Sequence, residues 1–252
     1  MSYRFLFTAT AALALAAAAA APAFAQPTDK SDWSGWYLGV NAGGNWGAGS
    51  NRLFATTNGV VINPLSVPGA VTVNATHSNN AGFAGAVEGG YDYRSSSVLA
   101  GIETDIGFLN LEQSRVSTFS QAVSPPFNAT VGQKTHTDWL WTVRPRLGYI
   151  TGSWLFYVTG GLALADVKLK TAYSDSNGNA ISNDLSHTNA GWTVGAGLGY
   201  AFHRNWSVKA EYLYADLGSI TATAALPNNI GTVSSQGKAR TNIVRAGIDY
   251  HF

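Results

Sequence analysis

The chain closes on Val244-Arg245-Ala246-Gly247-Ile248-Asp249-Tyr250-His251-Phe252. Read with the period of two that a strand imposes, one face carries Val244, Ala246, Ile248, Tyr250 and Phe252. The other carries Arg245, Gly247, Asp249 and His251. A water-soluble sheet buries its apolar face and solvates the charged one. A strand crossing a membrane as part of a barrel does the reverse, showing lipid its apolar side and a closed lumen its polar side. That reading predicts an all-β chain, an eight-stranded antiparallel up-and-down transmembrane β-barrel, once the remaining segments are counted.

The opposite end points to export. Met1 to Arg4 form a short basic region, Phe5 to Ala21 an apolar run, and Pro22-Ala23-Phe24-Ala25 a small-x-small site, so cleavage is expected between Ala25 and Gln26. The rival reading is a membrane anchor, and Pro22 beside the Ala-x-Ala pattern argues against it. Residues 1–25 are thus read as a secretory signal and residues 26–252 as one barrel domain. Loss of Arg4 with that signal leaves 14 Lys and Arg against 14 Asp and Glu, so no basic field favours nucleic acid. The chain has no Cys, which excludes a lipid anchor at the signal site and any thiol chemistry. Only 12% of residues are charged, while 28 glycines, 8 tryptophans and 11 tyrosines suit strands girdled by interfacial rings.

Eight alternating segments follow, at about 34–46, 80–93, 97–111, 137–150, 154–169, 190–202, 206–217 and 239–252. Tight turns at 94–96, 151–153 and 203–205 alternate with long connections at 47–79, 112–136, 170–189 and 218–238. Short periplasmic turns and long outer loops are what an outer-membrane barrel shows. Outward positions read Trp36, Leu38, Val40 and Ala42, then Phe83, Val87 and Tyr91, then Val98, Ala100, Ile102, Ile106 and Phe108. They continue with Trp139, Trp141, Val143, Leu147 and Tyr149, with Trp192 to Phe202, and with Trp206 to Tyr214. The fifth segment is apolar on both faces; Thr159 inward selects Phe156, Val158, Leu162 and Leu164 outward. Pro145 lies mid-strand, where its missing N–H predicts a bulge or kink.

The inward parity gathers Glu88, Asp92, Glu103, Asp105, Arg144, Arg146, Lys209, Glu211, Arg245 and Asp249. An Arg or Lys facing lipid at the midplane costs roughly 2–4 kcal/mol, so these groups belong inside. Neighbouring strands are expected to pair Glu103 or Asp105 with Arg144 or Arg146, and Glu211 or Asp249 with Arg245 or Lys209. A barrel of eight strands is only wide enough for side chains to fill it. A structural charge network is therefore the first reading and a channel constriction the second. Gly195, Gly197 and Gly199 alternate within a strand and read as lumen-filling small residues rather than a nucleotide loop. His77, His136, His187, His203 and His251 lack metal-ligand spacing, and no Ser sits in a nucleophile elbow. His136 with Ser124 or Ser186 is the nearest approach to a hydrolase pair. No catalysis, metal or cofactor is expected. The sequons at Asn74 and Asn128 read as chance.

Six stretches carry a family likeness. They are Trp33-Ser34-Gly35-Trp36-Tyr37-Leu38-Gly39, Arg144-Pro145-Arg146-Leu147-Gly148-Tyr149, Tyr157-Val158-Thr159-Gly160-Gly161-Leu162-Ala163 and Gly191 to Tyr200. The last two are Trp206 to Gly218 and Arg245 to Phe252. In order and spacing they resemble the alphaproteobacterial outer-membrane immunogenic proteins, surface antigens of the OmpA-like, opacity-type barrels often labelled "porin family"; Pro145 departs from the pattern. The resemblance covers nearly every strand and none of the long loops. It implies a non-enzymatic barrel of the bacterial outer membrane that serves envelope integrity and surface contact, with Tyr250 and the terminal Phe252 as an assembly signal. The partners it implies are outer-membrane lipid and lipopolysaccharide, the assembly machinery with periplasmic chaperones, and host or environmental ligands met by the loops. A narrow channel for small solutes or ions is the alternative, and a lipocalin-type soluble carrier a third reading that the facing disfavours, because it would put ten charges on the surface.

Overall fold

The computed structural model describes residues 33–48, 51–57, 60–62, 71–121, 127–176, 178, 180–225 and 231–252. The expected cleavage site at Ala23, Ala25 and Gln26 lies outside the described residues, as does Ser124. The described residues form ten strands: β1 (Gly35–Gly47), β2 (Asn51–Thr57), β3 (Val60–Ile62), β4 (Val71–Ser95), β5 (Val98–Gln121), β6 (Phe127–Thr151), β7 (Trp154–Asp175), β8 (Ala180–His203), β9 (Trp206–Ala225) and β10 (Gly231–His251). Eight of them, β1 and β4 to β10, pair antiparallel with their neighbours in order, and β1 meets β10 from Tyr37↔His251 to Gly47↔Thr241 to close the barrel. β2 takes up the pairing with β10 where β1 leaves it, at Gly237↔Asn51, and β3 folds back on β2.

The strands are longer than periodicity alone indicates. β4 to β10 run well into all four stretches read as long loops, for example through residues 112–121 and 127–136, which are paired from Glu112↔His136 to Gln121↔Phe127. The extensions are rich in Ser, Thr, Asn and Gln, and such residues pair as a ladder without offering the apolar alternation that marks a strand in sequence. At the other end the turns are two residues long. Ser96 adopts φ +57 and Gly152 φ +60, left-handed conformations that tight hairpins demand.

Facing follows the expected parity. Exposed apolar side chains form an outward band of Leu38, Val87, Ile102, Leu147, Val158 and Val244 among others, bounded by aromatic rings at both ends. At the tight-turn end Trp36 packs on Tyr91 (centroids 5.2 Å) and Trp206 on Tyr250 (5.1 Å). At the far end Trp192 lies 5.5 Å from Tyr214. One-residue register shifts between Asn80 and Ala84, Phe108 and Leu111, and Thr137 and Leu140 fall near this second ring of aromatics, where bulges bend the strands as they leave the band.

At Pro145 the ladder is interrupted as its missing N–H predicts, but the bulge is corrected. Register is the same on both sides of it, Val143↔Leu162 and Arg146↔Thr159, so there is no bulge there. The rungs at Arg144 and Pro145 are simply absent on the β7 side, while Ile102↔Pro145 persists on the β5 side. Thr159 Oγ1 donates to the Pro145 carbonyl at 3.0 Å, and Gly160 and Gly161 stand opposite. A Cβ on Gly161 would lie 2.1 Å from the Val143 carbonyl oxygen, so glycine is what lets the two strands stay close across the gap.

Candidate functional site: the filled lumen

Inside the barrel three tiers are stacked. Nearest the tight turns, Trp33, Leu99, Ile150, Leu155, Tyr157 and Ala201 form an apolar plug. Beyond the middle, Leu109, Leu111, Leu140, Val167, Leu169, Leu213, Leu217 and Ile243 form a second one with several alanines. Between the two lie all ten charged residues named from the inward parity, every one buried. The apolar tiers were not anticipated; their traces in the sequence are the two-sided hydrophobicity of Leu162 to Leu169 and isolated inward leucines such as Leu213 and Leu217.

Each base reaches more than one strand. Arg144 on β6 meets Glu103 and, at 2.7 Å, Asp105 on adjacent β5, and also Glu211 on β9 at 3.2 Å across the lumen. Arg146 engages Asp92 on β4 and Glu103 on β5, the latter at 3.2 Å. Lys209 on β9 stands 2.8 Å from both Glu88 and Glu103, and 4.0 Å from Asp249. Arg245 on β10 pairs with Glu211 at 2.6 Å on its neighbour β9 and with Asp105 at 2.9 Å on the opposite wall. The adjacent-strand pairs match those read from sequence. The cross-lumen pairs do not follow from strand order, because they depend on the bore and stagger of the closed barrel.

Neutral groups complete the network. The Tyr37 hydroxyl donates to Glu103 at 2.7 Å, Tyr157 to Glu211 at 3.3 Å, Thr142 to Asp105 at 2.9 Å, and Asn41 Nδ2 to Glu88 at 2.7 Å. The Arg146 guanidinium lies 4.5 Å from the Tyr37 ring centroid, so the ring serves as cation–π partner as well as donor. Tyr37 and Tyr157 were missed although their signal is present: they are large aromatics at inward parity beside Trp36, Trp154 and Phe156, which point out. The lumen glycines make room for them. A Cβ on Gly197 would fall 2.5 Å from the Tyr157 ring, and one on Gly199 would fall 3.0 Å from Trp33.

Oxygens of Glu88, Glu103 and Asp105 come within 4.8 Å of one another, a spacing compatible with a metal ion. Lys209 and Arg245, with Arg144, already stand at those oxygens, so the protein's own cations neutralise the trio. Of the hydrolase pairs considered from sequence, His136 with Ser186 is not assembled. His136 Nε2 turns to Asp138 at 2.6 Å, whereas Ser186 Oγ donates to Asp166 at 3.0 Å, with β7 between their strands. His251 is buried with Nε2 2.9 Å from Ser207 Oγ and its ring edge-on to Trp33, sealed in the inner plug. Tyr250 and Phe252 lie on the outward face, their rings 5.2 Å apart, and the Phe252 N–H donates to the Trp36 carbonyl at 3.0 Å.

An apolar exterior bounded by aromatic rings, a closed eight-stranded wall and a charged interior define a β-barrel of the bacterial outer membrane. The family model for the outer membrane protein beta-barrel domain matches residues 9–252. A 31 kDa outer-membrane immunogenic protein of Brucella melitensis biotype 1 is 33% identical over 231 residues, spanning 90% of this chain and 87% of its own. A 22 kDa outer membrane protein of Rhizobium leguminosarum bv. viciae is 32% identical over 55% of this chain and 54% of its own. Among solved structures, the crystal structure of Neisserial surface protein A aligns with 87% of this chain and 98% of that one, at 16% identity and a TM-score of 0.38. The chain belongs to the alphaproteobacterial outer-membrane immunogenic proteins, within the outer-membrane β-barrel family.

Proposed function

We propose that this barrel is a structural and surface-contact protein with no catalytic activity, which contributes to envelope integrity and does not conduct. The observation that carries the reading is the cross-lumen pairing of Arg144 with Glu211 and of Arg245 with Asp105, clamped between two apolar tiers. Charges that bridge opposite walls fill the bore, and apolar layers above and below exclude the water a pore needs. In this reading lipid and lipopolysaccharide surround the wall, the assembly machinery and chaperones receive the unfolded chain, and the strand extensions meet ligands outside the cell. Planar-bilayer recording of the purified, refolded barrel tests it: a steady baseline is expected, and reproducible unitary steps overturn it.

The channel reading draws on one feature. The lumen holds six acids against four bases, all buried, an imbalance that would favour cations. If steps appear, cation selectivity that weakens on Glu88→Gln establishes the channel in place of the plug.

A further inference from the structure

Beyond the outward apolar band the barrel wall divides. β8 and β9 pair from Trp192↔Asp216 to His203↔Trp206, and among the described residues no rung joins them above that point. Yet β8 extends on to Ala180 against β7, and β9 on to Ala225 against β10. The division is built into the strands. Gly218 takes φ +81 and donates its N–H to Asp216 Oδ1 at 3.0 Å, while Asp216 Oδ2 accepts from Arg240 Nε at 2.8 Å. Across from it the β9–β10 register shifts between Lys238 and Arg240. A left-handed glycine and a bulge, devices that bend strands, thus stand at the height where the β8–β9 ladder ends. Asn189 Nδ2 ties the base of the fork by donating to the Leu217 carbonyl at 3.2 Å.

Two strand edges flank this fork, Ala180 to Ala190 of β8 and Ser219 to Ala225 of β9, and no described strand pairs with either on the fork side. Exposed edges are ordinarily guarded by proline, lysine or an inward charge. These stretches contain no proline and no lysine, and their single formal charge, Asp184, is taken up by Lys170 of β7 at 3.3 Å. The edges carry nothing that repels another strand.

We propose that the fork is an interface between two copies of this chain in one membrane, the β8 edge of each copy adding to the β9 edge of the other. Strand direction selects this partner. β8 and β9 cross the membrane in opposite senses, and a two-fold axis along the membrane normal preserves the sense of each strand. β8 of one copy then lies antiparallel to β9 of its partner but parallel to its β8. Both antiparallel ladders form at once, as a closed isologous contact. A single strand from another protein would instead be antiparallel to one edge and parallel to the other. Height matches without adjustment, since the fork opens just above Trp192 and Tyr214, rings that seat every copy at the same membrane level.

The chain has no cysteine, so Ser182→Cys on β8 and Ala225→Cys on β9 each supply a lone thiol near the tips of the two edges. The two variants, differently tagged, are co-expressed, and isolated outer membranes are treated with a short bismaleimide that tolerates a small register offset. Retention of the heat-shifted gel band confirms that both are folded. The expected product is a mixed dimer several-fold more abundant than either homodimer. Mixed and single-variant dimers in equal, trace amounts overturn the proposal by showing random collision. A chain bearing both cysteines that links within itself also overturns it, because the fork then closes unaided. Linkage to an unrelated polypeptide overturns it as well and makes the fork a site for a different partner.

Discussion

Arg144 has no exposed surface and holds three carboxylates, Glu103 and Asp105 from one side and Glu211 from the other. Removing it leaves buried carboxylates without their partner, a change that typically costs about 3–5 kcal/mol. Arg144→Ala is therefore expected to lower the urea midpoint of the detergent-folded barrel sharply. Val158→Ala, on the lipid face, leaves a space that detergent or lipid fills, and its cost stays below about 1 kcal/mol. Equal effects in the two variants would mean that the charge cluster contributes no more than ordinary packing. Phe252 is a different kind of residue. It is 74% exposed on the outward face and held by a backbone hydrogen bond to Trp36 and an edge contact with the Tyr250 ring, so it adds little to the folded barrel. Its deletion is expected to leave refolding in detergent nearly normal while cells accumulate degraded chain. Parallel losses in both assays would reduce its role to packing.

At the scale of the strand, glycine decides how closely neighbours approach. A Cβ on Gly191 of β8 would sit 2.0 Å from the Asp216 carbonyl oxygen on β9, a backbone atom that cannot swing aside. The same atom added to Gly44 would meet nothing nearer than the Gly82 carbonyl at 3.6 Å. Gly191→Ala is accordingly expected to cost about 1–3 kcal/mol through overpacking and to weaken the ladder at the base of the fork. Gly44→Ala should be close to neutral, and hydrogen exchange of the β8 amides near Asp216 reads the difference directly. The same strands show how far the sequence could be read. Alternation of Trp192, Val194, Ala196 and Leu198 with glycines located the membrane-crossing part of β8 and its facing, because the period of two is a local property. For Ala180 to Asn189 the sequence predicts loop, since Ser182, Asn183, Ser186 and Thr188 pair along a ladder without alternating in polarity. The bulges were equally hidden: the shift near Asp138 and Trp139 depends on the neighbouring strand, while Pro145, the obvious suspect, left the register intact.

The whole barrel turns local parity into a closed wall with a buried charge network, and that step was legible only in part. Parity placed all ten charges inside and named the adjacent-strand pairs, but Arg245 with Asp105 is a contact across the bore that only closure creates. The apolar tiers that cap the charges were hidden for the same reason, since an inward Leu213 or Leu217 reads as an error on a polar face until its counterparts Leu109 and Leu140 arrive from the opposite wall. Those caps give the molecule a property that separates plug from pore without any change to a pore-lining group. Mobile ions screen charges only where water reaches them, over a distance that shrinks from about 10 Å at 0.1 M salt to about 3 Å at 1 M. In a water-filled lumen the stability difference between the parent and Arg144→Ala should shrink markedly as NaCl is raised across that range. In a sealed lumen the difference should persist, because chloride and sodium have no path to Glu103, Asp105 and Glu211. Taking the difference between two proteins cancels the effect of salt on the micelle and on apolar burial. Urea unfolding of the pair at the two salt concentrations is expected to give the same gap within error. A gap that collapses at 1 M would place bulk water among the charges, and the barrel would then have to be read as a narrow channel.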